Sequence, residues 1–523
     1  MYDKENSTIW FGKSGDKKIC IYPKMANRHG MICGATGTGK TITLKVLAES
    51  FSDMGVPVFL ADVKGDLAGF CMPGKDSEDM QGRIKRFGLE EAGFAYDSYP
   101  ANFWDIYGEK GMNLRTTVSE MGPMLLARIL GINDTQTDVL SVVFKIADDN
   151  NMLLIDTKDL KAMLNYVADH NKEYSSEYGN IAKQSVNAII RAIVALEAEG
   201  ADMFFGEPAL SINDWLYGNS GKGTIQILDC QKLINKPNMY ATFLLWMLSE
   251  LFETLPEVGD PEKPKMIFFF DEAHMLFDNA PKVLLSRIEQ VVKLIRSKGV
   301  GVYFVTQNPR DIPDEVLAQL GNKIEHGLHA YTPAEQKAAK AAAMSFRANP
   351  DFDTYETLLT LGTGEALVSV LDEKGVPTVV EKTSILPPQS LMGPIEDNVR
   401  DSEIKNSMLY SRYNDFFDRD SAYEFLQRNQ TLKEGEAPVT ADAPAAQAAG
   451  SANAAKPAKP DKNSMSYKTQ KAAQSVAKTG AGTVGREVGK TVGGAIGGKF
   501  GKTLGGNIGS SIGRNFLGVF FKS

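Results

Sequence analysis

Cysteine is scarce in this chain of 523 residues. The four present, Cys20, Cys33, Cys71 and Cys230, form no CxxC pair, which argues against a disulfide scaffold or a cysteine-built zinc site. No uninterrupted apolar run of about 18 residues occurs, so a conventional membrane-spanning helix is not expected. The opening residues, MYDKENSTIW, lack the basic-then-apolar order of a secretory signal. These absences together point to a reduced, cytoplasmic setting. Excess positive charge is missing too: the net charge is −8, with 43% hydrophobic and 23% charged residues. That composition suits a soluble globular chain long enough for more than one unit.

The charge is divided unevenly. Residues 431–523 carry 13 Lys+Arg against 5 Asp+Glu, and the preceding 430 residues carry 44 against 60. The larger part is therefore acidic, and gives no general electrostatic support for wrapping nucleic acid.

Short, nearly continuous apolar runs followed by helical patterning read as buried parallel strands. They are His29–Gly34, Pro57–Asp62, Thr224–Asp229, Met266–Asp271, Val300–Thr306 and Lys323–His329. Glu365–Leu371 and Pro377–Glu381, parted by Asp372-Glu373-Lys374-Gly375, read as a hairpin. Ile9–Gly12 and Lys18–Tyr22 form another in a short N-terminal β segment, 1–28. The expected fold is α/β, a RecA-like core with a parallel-rich sheet over 29–79 and 221–395. The long separation between the second strand and Met266 is too great for one crossover helix. It is assigned to a helical insertion, 80–220, with amphipathic stretches at Thr117–Leu130, Thr137–Asp149, Thr157–Ala168 and Ile181–Glu199.

Residues 396–433 form a C-terminal helical segment; an Ala/Pro/Lys-rich stretch, 434–480, reads as a disordered linker. In the tail, 481–523, glycine recurs every fourth residue from Gly485 to Gly513, each time after an apolar residue. A helix built this way would carry a small-residue stripe suited to close packing. Each glycine costs about 1 kcal/mol of helix propensity, so the tail would order only on a partner, on a membrane surface or with its own copies. Arg486, Lys490, Lys499, Lys502 and Arg514 suit an anionic surface, implying peripheral membrane association. A solvated, flexible tail is the plainer alternative.

The chemistry lies in Gly34-Ala35-Thr36-Gly37-Thr38-Gly39-Lys40-Thr41, which fits G-x-x-x-x-G-K-[ST] between an apolar strand and a helix opening at Ile42. Glycines let backbone N–H groups curl around a β-phosphate, with the positive end of the helix behind them. Lys40 then bridges β- and γ-phosphates of ATP, and the Thr41 hydroxyl binds Mg²⁺. Ile267-Phe-Phe-Phe-Asp271-Glu272 supplies two acids at a strand end. Asp271 is read as the Mg²⁺ carboxylate and Glu272 as the group that orients or deprotonates the attacking water. A helix-capping role is the alternative for the pair. Gln307, ending the Val302–Thr306 run, is the candidate γ-phosphate sensor, with a plain turn role as the alternative. Asp271-Glu272-Ala273-His274 spells DEAH, but no arginine-rich QxxGRxGR string follows, so one RecA-like core is expected and His274 reads as a helix-start residue.

These strings resemble the HerA/FtsK branch of P-loop ATPases, and closely the bacterial YjgR-like group of HerA-like helicases. The resemblance rests on Pro23-Lys-Met-Ala-Asn-Arg-His-Gly30, Ala61-Asp-Val-Lys-Gly-Asp66, Phe268-Phe-Phe-Asp-Glu-Ala-His274 and Leu294-Ile-Arg-Ser-Lys-Gly-Val-Gly-Val-Tyr-Phe-Val-Thr-Gln307, and covers about residues 5–395. It implies a homo-oligomeric, hexameric ring with ATP sites between subunits, acting on DNA as a translocase. It also implies an arginine supplied by the neighbouring subunit. Arg296 is the first candidate, with Arg287 and Arg310 as alternatives and a surface salt bridge as the plain reading of Arg296. Asp62 and Asp66 match the family's acidic loop, with a structural role equally open. About 28 residues precede the phosphate-loop strand, room for a hairpin, so the N-terminal barrel of HerA proteins is not expected here. Adenine specificity follows from the resemblance, since no guanine-reading NKxD string occurs. The rival expectation is an ATPase acting on a protein or membrane-associated partner through the glycine-repeat tail.

Overall fold

Strands that alternate apolar side chains to both faces can be buried only between two layers of helix. The computed structural model of the protein, which describes residues 1–216, 221–277, 282–417 and 419–434, has this arrangement. Thirteen strands are found among the described residues. They are β1 (Tyr2–Asp3), β2 (Thr8–Ser14), β3 (Lys17–Ile21), β4 (Gly30–Cys33), β5 (Val58–Asp62), β6 (Ala101–Asp105) and β7 (Met112–Asn113), followed by β8 (Ile225–Asp229), β9 (Met266–Phe270), β10 (Val300–Thr306), β11 (Asn322–His326), β12 (Glu365–Ser369) and β13 (Glu381–Ile385). They form one sheet in the order β1-β2-β13-β12-β11-β4-β10-β9-β5-β8-β6-β7, with β3 paired to β2. From β11 to β7 every pairing is parallel, and from β11 through β12 and β13 to β2 every pairing is antiparallel.

The two faces take alternate residues of the central strands. Ile32, Leu60, Ile227, Phe269, Tyr303 and Ile324 join one core with the helix Lys40–Asp53. Cys33, Phe59, Leu228, Phe268, Phe304 and Val302 join the other, with the helices Pro237–Thr254 and Lys282–Leu294. Each of β5, β8, β9 and β10 is buried along its whole length. That is why these strands read as unbroken apolar runs.

All six expected parallel strands are present, and so is the N-terminal hairpin, as β2 and β3. Two differences concern the sheet. The stretch assigned to a helical insertion, 80–220, contains β6 and β7, and β6 extends the parallel sheet beside β8. The helix Glu78–Phe87 also belongs to the sheet layer, burying Ile84 and Phe87 in the core shared with Lys40–Asp53. The helical part therefore begins after β7. Its helices, Val118–Ile129, Asp134–Asp149, Thr157–Asp169 and Lys183–Glu197, lie near the expected positions. Three of them start with capping boxes, Thr117/Glu120, Asn133/Gln136 and Asp156/Asp159. The first is broken at Gly122, which has φ 71°.

The second difference is the returning strand of the later hairpin, expected at Pro377–Glu381 and found at Glu381–Ile385. Chain reversal does occur at Asp372–Gly375, where Gly375 N–H donates to Asp372 C=O at 2.9 Å. Pro377 has no N–H to give a ladder, so the expected pairing is limited to an isolated antiparallel bridge between Leu371 and Pro377 and to Thr378 N–H donating to Val370 C=O at 2.9 Å. Val380 pairs instead with the 347–349 loop, through Val380 N–H to Arg347 C=O and Asn349 Nδ2 to Val380 C=O.

The C-terminal segment is helical at Asp397–Asn406, Tyr410–Tyr413 and Ala422–Glu434. Tyr423 N–H donates to Asp159 Oδ1 at 2.9 Å and ties this segment to the helical part. Among the described residues no helix is long and apolar enough to cross a membrane. The expected linker from 435 onward and the glycine-repeat tail lie outside the described residues.

Candidate active site

Because β4, β10 and β9 are adjacent and parallel, their C-terminal ends open onto one edge of the sheet. Crevices of this kind are where open α/β sheets hold ligands. From β4 the chain runs through residues 34–39 into the helix that opens at Lys40. Gly34, Gly37 and Gly39 have φ of 147°, 81° and 114°, conformations closed to most side chains. A Cβ on Gly34 would stand 2.5 Å from that of His326, whereas one on Gly37 would meet nothing within 4 Å. The loop is thus braced at its base and open at its crest.

Several bonds fix it. Ala35 N–H donates to Gly327 C=O at 3.0 Å, and Gly364 N–H donates to Thr38 C=O at 2.9 Å. The Thr38 hydroxyl donates to Ala35 C=O at 2.7 Å. Lys40 folds back over the loop, its Nζ donating to the carbonyls of Gly34 (2.7 Å) and Ala35 (3.0 Å). Burial lowers the Lys40 pKa, against the pull of Glu272 and Asp271. Thr36 and Gly37 are exposed, Thr41 and Ile42 half-buried.

Two residues that the sequence reading passed over complete the brace. His326, at the end of β11, bonds through Nε2 to the Thr43 hydroxyl at 2.8 Å. Burial holds it neutral, with a pKa pushed down to about 4. Arg83, from the helix Glu78–Phe87, sits so close to Gly364 that a Cβ there would be 3.0 Å from its Nη1.

Asp271 and Glu272 follow β9 directly, and each is 5% exposed. Burial, reinforced by Glu272, raises the Asp271 pKa to about 6. Its Oδ2 is buried without a hydrogen-bond partner, a costly condition that a bound cation relieves. Glu272 has φ 47°, a left-handed backbone rare for its type, of the kind that clusters at functional sites. Gln307 Nε2 donates to Glu272 Oε2 at 3.4 Å, and His274 Nδ1 lies 3.3 Å from the same oxygen. An ion pair with Lys64 closes the other side. Burial would raise the Glu272 pKa, but Lys64 and the Gln307 amide outweigh it, so the group lies below its ordinary value.

Asp62, at the end of β5, accepts from Gly65 N–H at 2.7 Å and Leu67 N–H at 3.1 Å and so shapes the next loop. Burial and the neighbouring Asp66 raise its pKa to about 7. Asp66 has a buried Oδ1 without a partner. The phosphate loop, Asp271, Glu272, Gln307 and the Asp62 loop thus share one edge of the sheet.

The arginine candidates are dispersed. Arg296 precedes β10, at the opposite edge from the chain's own phosphate loop, and pairs with Asp260 at 3.0 Å. Arg287 donates to Gln290 Oε1 at 3.0 Å and to Ser249 Oγ at 3.3 Å. Arg310 is exposed, three residues beyond Gln307.

The chain is similar to several known proteins. The chain is 21% identical over 411 residues to the DNA double-strand break repair helicase HerA of Sulfolobus acidocaldarius, covering 72% of this chain and 71% of that protein. Among solved structures it is similar to plasmid coupling protein TrwB in complex with a non-hydrolysable ATP analogue (15% identity, TM-score 0.45, 73% of this chain and 94% of that one). It is also similar to VirB4 of Thermoanaerobacter pseudethanolicus (18% identity, TM-score 0.44, 72% and 96%). The family described as helicase HerA-like C-terminal matches residues 9–503, and the chain belongs to this family of P-loop ATPases.

Proposed function

We propose that this ATPase is an oligomeric motor acting on DNA. The observation that carries the reading is the convergence of Lys40, Asp271, Glu272 and Gln307 at one edge of the sheet. In this reading residues 34–42 cradle the phosphates, and Lys40 leaves the Gly34 and Ala35 carbonyls for the β- and γ-phosphate oxygens. Thr41 and Asp271 would hold Mg²⁺, and the unpartnered Oδ2 of Asp271 fits that role. When bound, the ion neutralises charge on the phosphate oxygens. Glu272 orients and deprotonates the attacking water, while Gln307 holds Glu272 and senses the γ-phosphate.

Arg296, Arg287 or Arg310 would reach the site of a neighbouring copy in a ring, hexameric by the pattern of the HerA branch. The placement of Arg296 away from its own phosphate loop suits action on another subunit better than on its own. The relative named as a DNA repair helicase supports DNA as the polymer.

A second reading, an ATPase acting on a protein or membrane-associated partner, is favoured by one observation. The part of the chain before residue 431 carries 60 acidic against 44 basic residues. The basic glycine-repeat tail would then be the contact. The two readings divide on ATPase rate measured with and without single- and double-stranded DNA at two salt concentrations. Several-fold stimulation that falls as salt rises supports the motor. Robust turnover indifferent to DNA, with a stimulation by liposomes or a partner protein that is lost on truncation near residue 480, supports the second reading.

A further inference from the structure

The loop after β5 delivers a cation to the site that the roles above leave unused. Asp62 grips the backbone of this loop from behind through Gly65 and Leu67 N–H. Gln231 packs so tightly on Gly65 that a Cβ there would overlap its side-chain amide. Between these two anchors Lys64 projects towards the end of β9 and pairs with Glu272. The partners differ in exposure: the Lys64 side chain is 45% exposed and that of Glu272 only 6%. The lysine is therefore the mobile member, and the carboxylate the fixed one.

Lys64 also lies within electrostatic reach of Lys40, Asp271 and Asp66. Both cations of the site are held by partners that a polyphosphate could replace. Lys40 is held by two backbone carbonyls, and Lys64 by one carboxylate. A γ-phosphate beside Lys40 brings more negative charge than Glu272 alone offers. A flexible ammonium is free to follow it.

We infer that Lys64 is a nucleotide-state sensor that exchanges Glu272 for the γ-phosphate of bound ATP. Without nucleotide it holds Glu272 in an ion pair, where the carboxylate is occupied. Arrival of the γ-phosphate draws Lys64 away and leaves Glu272 free to take a water. ADP lacks the γ-phosphate and leaves the pair closed. This deepens the ATPase site assignment and rests on it.

Equilibrium binding of a non-hydrolysable ATP analogue and of ADP to the full chain tests the exchange without needing turnover. Lys64→Met should weaken the analogue about tenfold and ADP less than about twofold, with Lys64→Arg restoring most of the difference. In a double-mutant cycle, Glu272→Gln should tighten analogue binding more when Lys64 is present than in the Lys64→Met background, because it removes the competitor. Equal weakening of analogue and ADP would reduce Lys64 to a structural residue, and additive effects in the cycle would overturn the exchange. Lys40→Ala separates the layers. If it fails to weaken either nucleotide, the site assignment itself fails; if it weakens both while Lys64→Met changes neither, only this inference is lost.

Discussion

Protonation of one buried histidine should set part of the acid stability of the sheet that carries the site. His29 enters β4 with φ 59° and is 2% exposed. Its Nδ1 accepts from Val302 N–H at 3.1 Å, so Nε2 carries the proton and donates to Val292 C=O at 2.8 Å. A second proton has no place, because Nδ1 already faces a donor. Burial accordingly lowers the pKa from 6.5 to about 4. Below pH 6.5 the unfolded chain takes up a proton that the folded chain refuses. Stability therefore falls as pH drops through that window and levels off below about 4. The full difference corresponds to about 3 kcal/mol, of which about 2 kcal/mol is lost between pH 7 and pH 5. Asparagine tolerates the left-handed backbone. His29→Asn should lower stability at pH 7 but lose less on acidification. Urea unfolding of both proteins, followed by tryptophan fluorescence at pH 7 and pH 5, measures this. His326 contributes its own acid loss to both proteins and cancels in the comparison. Parallel losses in wild type and variant would refute the reasoning.

Three further outcomes follow from the site. Gly34→Ala must seat a methyl group against the His326 side chain at φ 147°, and should cost more than about 1 kcal/mol while weakening nucleotide binding, read by thermal melting and titration. Glu272→Gln should bind ATP yet lower kcat by about 10²-fold or more, and an unchanged kcat would remove its assigned role. Arg296→Ala gives up one exposed ion pair with Asp260, so stability should change by less than about 1 kcal/mol. Its ATPase activity should recover on mixing with Lys40→Ala subunits if Arg296 acts on a neighbour, and absence of rescue counts against that action.

The parallel strands were legible because burial on both faces writes itself as an unbroken apolar run, as in Met266–Phe270. The phosphate loop was legible because its glycines, lysine and threonine are contiguous. Residues 101–105, ANFWD, carry only a short apolar core between polar neighbours, and their strand depends on a partner, β8, far along the chain. Periodicity within a window has no access to such pairing. The shift of the returning hairpin strand has the same origin, since Val380 is claimed by Arg347 and Asn349 from another loop.

The site divides along the same line. Lys40, Asp271, Glu272 and Gln307 were legible as candidates because Asp271, Glu272 and Gln307 follow strands that announce themselves and Lys40 closes a contiguous glycine loop after another. His326 was not, because it reads as one more residue of a mixed strand until the fold sets it against Gly34 and Thr43. Nor was Lys64 singled out, because only the parallel pairing of β5 with β9 brings it onto Glu272. Such contacts arise from strand order rather than from local pattern. The parallel neighbours β5 and β9 set Lys64 beside Glu272, so the partners of this glutamate are specified by pairing between segments far apart in the chain.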